Sequence, residues 1–336
     1  VNDRKPKLTI KSNGLSGMIV PGALIPYVGE INDDFSIEDV EIHYSLKEDT
    51  GERREVSGKL VPYGIQKKIG SKEIKMDGAI DLEPLDLTIN SRFSVYFSAK
   101  DNNTESGPGV GESTRILFRV VGEAELRTDL LRREKEQRQI VSELTKKQDI
   151  LLTDLGAIAA EFVEIDILDR SSKERLANLQ KAQKNLSVGV GNTVKRLKGM
   201  VLEIKNNRLE EEKGILQSRL NEKIIAPLEL LTQQTFPSIS LELDAARRMN
   251  DKLSRDKSFK VINEAQGYTV QVLKGVLMHM VRNEGYQQAL NLLYEIQREQ
   301  ERMNQMTNKA KEKSLEGIVE DKKSESEAKK KEKSKK

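Results

Sequence analysis

The stretch Arg115-Ile116-Leu117-Phe118-Arg119-Val120-Val121-Gly122-Glu123-Ala124-Glu125 divides the chain into two kinds of sequence. Its first seven residues are rich in β-branched and aromatic side chains, the composition of a pleated, half-buried strand. Glu123-Ala124-Glu125 has the composition of a first helical turn, where carboxylates meet the positive end of the helix dipole. The text before this point punctuates like an all-β domain, and the text after it reads as long helices.

Upstream, Asp39-Val40-Glu41-Ile42-His43-Tyr44 alternates, with Val40, Ile42 and Tyr44 on one face and Glu41 and His43 on the other. Arg92-Phe93-Ser94-Val95-Tyr96-Phe97-Ser98 is a second such run. Gly14, Gly51, Gly58, Gly70, Gly78 and Gly107 fall between the runs as turn signals. About seven strands in residues 1–122 predict an immunoglobulin-like β-sandwich. Lys7–Lys11 reads as a strand entered mid-chain, and the sequence opens on Val1, so it is read as a piece of a longer protein.

Downstream, Ala124 to Leu155 contains no Gly or Pro. Leu130, Leu144 and Leu151 share one heptad position, with Gln137 as a polar gap. A second helical segment is expected from about Lys173 to Leu231. In it Leu179, Leu186 and Met200 share a position (Thr193 fills the gap), and Val190, Leu197 and Ile204 share the partner position. Pro237 is expected to end a helix and Ser258 to cap the next, which runs to about Arg282. Asn283-Glu284-Gly285 reads as a short break, followed by stripes of Tyr286, Leu293 and Gln300 and of Ala289, Ile296 and Met303. Residues 123–308 are thus a helical coiled-coil or bundle region, and residues 309–336 a disordered Lys/Glu/Ser tail. The expected architecture is multidomain, β then α.

Composition narrows the function. A third of the chain is charged, 4% is aromatic, and Trp and Cys are absent. That suits helices that bury a narrow stripe, and it excludes disulfides, thiolate nucleophiles and cysteine metal sites. The tail holds 11 Lys and 7 acidic residues, a balance of +4 against +3 for the whole chain; the remainder is −1, with no overall basic excess for nucleic acid. No apolar run approaches the roughly 18 residues of a transmembrane helix.

Few residues gather for chemistry. His43 and His279, the two histidines, fall in different expected domains, and His43 should face solvent. Gly107-Pro108-Gly109-Val110-Gly111-Glu112-Ser113 invites a phosphate-loop reading, but Glu112 stands where the lysine should be and a strand follows. Asp101, Asn103, Glu105 and Glu112 take the first, third, fifth and twelfth positions of a calcium loop, although Ser106 replaces its central glycine. A polar hairpin is the stronger reading, with Asp33-Asp34 a weaker ion candidate. Carboxylate runs such as Glu210-Glu211-Glu212 read as solvated helix faces. No catalytic residue, cofactor or metal is expected.

Asp33-Asp34-Phe35-Ser36-Ile37-Glu38-Asp39-Val40 resembles the acidic-aromatic signature of bacterial immunoglobulin-like repeats. Ala99-Lys100-Asp101-Asn102, the glycine-rich loop and Phe118-Arg119-Val120-Val121 resemble their closing strands. The direct join to Leu130-Leu131-Arg132-Arg133-Glu134-Lys135-Glu136-Gln137-Arg138 resembles uncharacterised large envelope proteins of planctomycete-type bacteria. The resemblance covers residues 25–155. It implies an extracytoplasmic, envelope or periplasmic location and membrane attachment only through a segment outside this chain; it supplies no catalytic positions. The expected function is a non-enzymatic envelope scaffold that binds protein partners and associates through its helices. The alternative is an intracellular coiled-coil adaptor that binds protein or nucleic acid through its basic tail.

Overall fold

The computed structural model describes residues 4–48, 55–62, 64–103, 107–210 and 214–282, with 300, 302–304, 306 and 307 beyond them. Residues Val1–Met280 form one unit, and Val281–Lys336 a second. The stripes from Tyr286 to Ile296 and the tail from Lys309 lie outside the described residues.

Nine strands are described: β1 (Lys7–Ser12), β2 (Met18–Ile19), β3 (Leu24–Asn32), β4 (Ile37–Glu48), β5 (Glu55–Leu60), β6 (Glu73–Asp81), β7 (Ser91–Asp101), β8 (Val110–Glu112) and β9 (Ile116–Val120). One sheet runs β1-β3-β6, and the other β2-β9-β7-β4-β5 with β8 paired to the far end of β7. All pairings are antiparallel except β2 with β9. The alternation read from the sequence decides which face is inside. Val40, Ile42 and Leu46 of β4 and Phe93, Val95, Phe97 and Ala99 of β7 are buried, as are Ile25, Tyr27 and Ile31 of β3. The two sheets meet where the Tyr27 ring packs 4.8 Å from that of Phe97. Tyr27 also lies across Gly78, its register partner on β6; a Cβ there would stand 2.5 Å from the Tyr27 hydroxyl, so only glycine admits the ring.

The helical half starts at Glu123, three residues after β9 ends. Helix α1 (Glu123–Phe162) has 40 residues and α2 (Arg170–Asn206) has 37, or about 60 and 55 Å at 1.5 Å per residue. The Asp169 carboxylate opens α2 by accepting the Ser172 amide at 2.7 Å. That bond holds the Asp169 carboxyl below its ordinary pKa. The two helices run antiparallel: Gln148 lies beside Gln183, and Glu161 pairs with Arg175 at 2.6 Å. Leu130, Leu144 and Leu151 of α1 are buried, as are Leu179, Leu186, Val190, Leu197, Met200 and Ile204 of α2. The seam therefore closes within one chain.

Three helix limits differ from expectation. The segment expected to continue to Leu231 ends at Asn206, because Arg208 turns left-handed (φ 51°). The Asn207 side chain caps the turn by donating to the Glu203 carbonyl at 3.0 Å. A third helix then runs over 215–248 straight through Pro227 and Pro237. Each proline follows a π-helical turn, Leu220–Ile225 and Leu231–Thr235. Proline lacks an N–H and crowds the carbonyl four residues back; a wider turn relieves both. Pro237 consequently ends nothing. Ser258 caps nothing either: it is buried inside a fourth helix over 252–282. That helix is capped by Asp251, whose carboxylate accepts the Ser254 amide at 2.9 Å.

Candidate functional site

The outer face of the larger sheet brings together a serine, a histidine and a carboxylate. Register places Glu41 opposite Ser98 and His43 opposite Tyr96. His43 Nε2 lies 2.7 Å from Ser98 Oγ and 3.3 Å from Glu41 Oε2. The imidazole stacks on Tyr96 at 4.7 Å, and the Arg115 guanidinium lies over the same ring, 4.8 Å from its centroid. His43 is thus on the predicted outer face, but its neighbours leave only 18% of the side chain exposed. A Ser-His-acid relay needs serine on one ring nitrogen and carboxylate on the other. Here both approach the same nitrogen, so the carboxylate does not orient the base toward serine. The arrangement fits a cross-strand polar cluster, which Lys59 extends by donating to Glu41 at 2.8 Å. His279 is exposed on the fourth helix.

Of the calcium-loop residues, Asp101 and Glu112 are set apart along the β7–β8 ladder. Asp101 is buried at the end of β7, and its Oδ1 accepts amides from Asn103 (3.0 Å) and Gly109 (2.8 Å). It braces the loop from inside. Glu112 is exposed on β8 opposite Ser98, along the strand from Asp101. Glu105 lies outside the described residues. Among the described residues no three acidic or histidine side chains converge on a metal position. Asp33 Oδ2 accepts the Phe35 amide at 3.0 Å and organises its own turn, and Asp34 Oδ1 accepts the amide of Arg4, a residue distant in sequence, at 3.4 Å. Glu210 is not on a solvated helix face: its oxygens accept the amides of Leu216 and Gln217 at 3.2 Å and so begin the third helix.

The most constructed region is the junction between sheets and helices. Asn207 Oδ1 accepts the Val20 amide at 2.9 Å, and Asn206 donates to the Gly14 carbonyl at 2.8 Å. Ser16 donates to Glu203, which is 2% exposed and also paired with Arg133 at 2.8 Å. Arg208 reaches across to Asp81 (2.9 Å) and Glu83 (2.7 Å). Hydrogen bonding from Arg208 holds the Asp81 carboxyl below its ordinary pKa. Gly14 is left-handed (φ 68°), and a Cβ there would stand 2.7 Å from Leu202 Cβ. No local pattern marks this role, since Glu203, Asn206 and Asn207 have the polar character of ordinary solvent-facing helix residues.

A second polar system fills the helices. Gln183 exchanges hydrogen bonds with Gln148 (2.8 Å in one direction) and accepts one from Gln266 (3.0 Å), all three buried. Glu134 takes both arms of Arg219, at 2.9 and 2.8 Å. Arg255, fully buried, donates to the carbonyls of Phe162, Ile165 and Asp166. It satisfies the open end of α1, where the dipole favours a cation.

No family model matches the chain, and no curated protein does. Two solved structures are similar to parts of it. A sporulation control protein, Spo0M of Bacillus subtilis, aligns at 13% identity and a TM-score of 0.24, over 40% of this chain and 55% of that one. A family 76 glycoside hydrolase from a bovine Bacteroides thetaiotaomicron strain aligns at 7% identity and a TM-score of 0.23, over 79% of this chain and 63% of that one. The chain therefore spans less than two thirds of either, and at these scores neither likeness carries a functional argument.

Proposed function

We propose that the protein is a non-enzymatic scaffold of the bacterial cell envelope, in which an immunoglobulin-like β-sandwich is a docking module for a protein partner and coiled-coil-like helices hold that module in place. The observation that carries this reading is the junction. Helix α1 leaves β9 through a single short connection, and the end of α2 returns to bond Val20, Gly14 and Ser16. Such a joint suits a part whose task is to fix one module against another. Support for the immunoglobulin-like reading comes from the strand split, with the first, third and sixth strands in one sheet and the fourth, seventh and last in the other.

Protease accessibility tests the envelope placement, using an antibody to residues 1–122 on native cells. Digestion only after outer-membrane permeabilisation, with cytoplasmic controls intact, is the expected result. Digestion in untreated cells would move the scaffold to the surface. Protection until the cytoplasmic membrane is lysed would overturn the envelope placement and favour an intracellular adaptor.

A further inference from the structure

Outside the lysine-rich tail, the positive charge of the chain is concentrated on one helix. Helix α2 carries nine Lys and Arg against two Glu, +7 in a chain whose total is +3. The rest of the chain therefore sums to −4. Three of the nine cations are engaged in ion pairs: Arg170 with Glu174, Arg175 with Glu161 and Lys198 with Glu229. Lys181, Lys184, Lys195 and Arg196 are exposed and have no ion-pair partner among the described residues. No acidic residue interrupts α2 between Glu174 and Glu203, and Glu203 is buried in the junction.

Helical geometry sets most of these residues in a line. Lys181, Lys184, Val188, Asn192 and Lys195 recur at three- and four-residue intervals, opposite the buried Leu179, Leu186, Val190 and Leu197. Arg196 stands beside the line. From Lys181 to Arg196 the face is about 22 Å long at 1.5 Å per residue. Its two cation pairs flank Val188, which is 55% exposed.

We infer that this outward face of α2 is a docking surface for an anionic phospholipid bilayer. A straight helix face meets a plane along its whole length, so all four cations reach headgroup phosphates together, their alkyl stems lying along the interface. Val188 enters the boundary between headgroups and acyl chains, as apolar residues of interfacial helices do. Phosphates of a nucleic-acid backbone offer no apolar region to receive it, and α2 has no aromatic side chain to stack on bases. The inference is independent of the envelope placement, since any compartment bounded by anionic lipid would supply the surface.

Vesicle co-sedimentation of the full chain tests it, with phosphatidylcholine alone and with added phosphatidylglycerol. Binding is expected only to the anionic vesicles and should weaken with salt. The variant with Lys181, Lys184, Lys195 and Arg196 all changed to Gln should bind on the order of a thousandfold more weakly, given the worth of each basic residue near such a surface. Its thermal melt should match the wild type, because all four side chains are exposed. A control with Lys146, Lys147, Lys257 and Lys260 changed to Gln loses the same charge elsewhere and should keep most of the binding. Equal losses in both variants, or no loss in the first, would show that net charge or the lysine tail binds and would overturn the inference. Binding of duplex DNA but not vesicles, abolished by the first variant, would overturn the bilayer in favour of nucleic acid.

Discussion

The two halves of the first unit have opposite interiors. Between the sheets, the core is built almost wholly of aliphatic and aromatic side chains such as Ile25, Ile31, Val40, Phe93 and Phe97. Between the helices, leucines and valines alternate with buried Glu134, Gln137, Gln148, Gln183, Thr193, Gln266 and Arg255. The contrast reflects how each half fixes its register. A sheet is registered by its backbone ladder and its pleat, and a slip of one residue would turn every core side chain outward. A helical seam repeats every seven residues, so a slide by one heptad costs little apolar contact. Buried polar groups that find partners in only one alignment remove that freedom.

The largest effect should come from the apolar side. Phe93→Ala empties a fully buried ring position in β7 and should cost about 3–5 kcal/mol, read as a lower denaturant midpoint. A cost near zero would mean that the sheets are not packed as described. On the polar side, Gln183→Leu strands the Gln148 and Gln266 amides and should cost about 1–3 kcal/mol. Changing all three glutamines to Leu should instead be neutral or stabilising by about 1–4 kcal/mol, while amide NMR dispersion shrinks as alternative registers become populated. A triple variant with unchanged dispersion would break the contrast between the halves.

The junction gives comparable or smaller effects. Gly14→Ala forces a left-handed alanine against Leu202 and should cost about 1–3 kcal/mol. Its signature is a second calorimetric transition, with faster hydrogen exchange at Val20 as the two halves uncouple. The smallest effect is the response of the Asp81–Arg208 contact to acid. The folded pKa of Asp81 is lowered, so its contribution is fully present above the ordinary value of 3.8 and is lost as pH falls below that value, through the lowered one. Asp81→Asn should therefore lower the melting temperature slightly near neutrality, converge on the wild type in acid, and so flatten part of the acid limb of the profile.

Much of the β half was legible because alternation has a single physical meaning. Val40, Ile42 and Tyr44 could only share a face, and Glu41 and His43 the other. The start of α1 at Glu123 was equally readable, as were the seam positions Leu186, Val190 and Leu197. The candidate calcium loop was ambiguous, because oxygen-bearing residues at alternate positions also describe a turn whose carboxylate binds its own backbone, as Asp101 does. Pro237 misled for a related reason: its helix-breaking rule assumes an α-helical turn before it, and a π turn removes the conflict. The basic face of α2 was hidden by summing charge over the whole chain, where the acidic surroundings cancel it.

Local pattern was enough to assign the main strands and the long helices, the change of regime at Glu123, and the inward residues of β4, β7 and the α1–α2 seam. These follow from side-chain periodicity and backbone sterics within a few residues. Tertiary structure decided which polar residues were buried. Glu203, Asn207, Gln183 and Arg255 have the same local signatures as solvated neighbours, and only a partner distant in sequence — Ser16, Val20, Gln148 or the end of α1 — makes their burial favourable. Desolvating a polar group costs free energy unless its hydrogen bonds are restored, and that restoration depends on distances that exist only once the chain has folded.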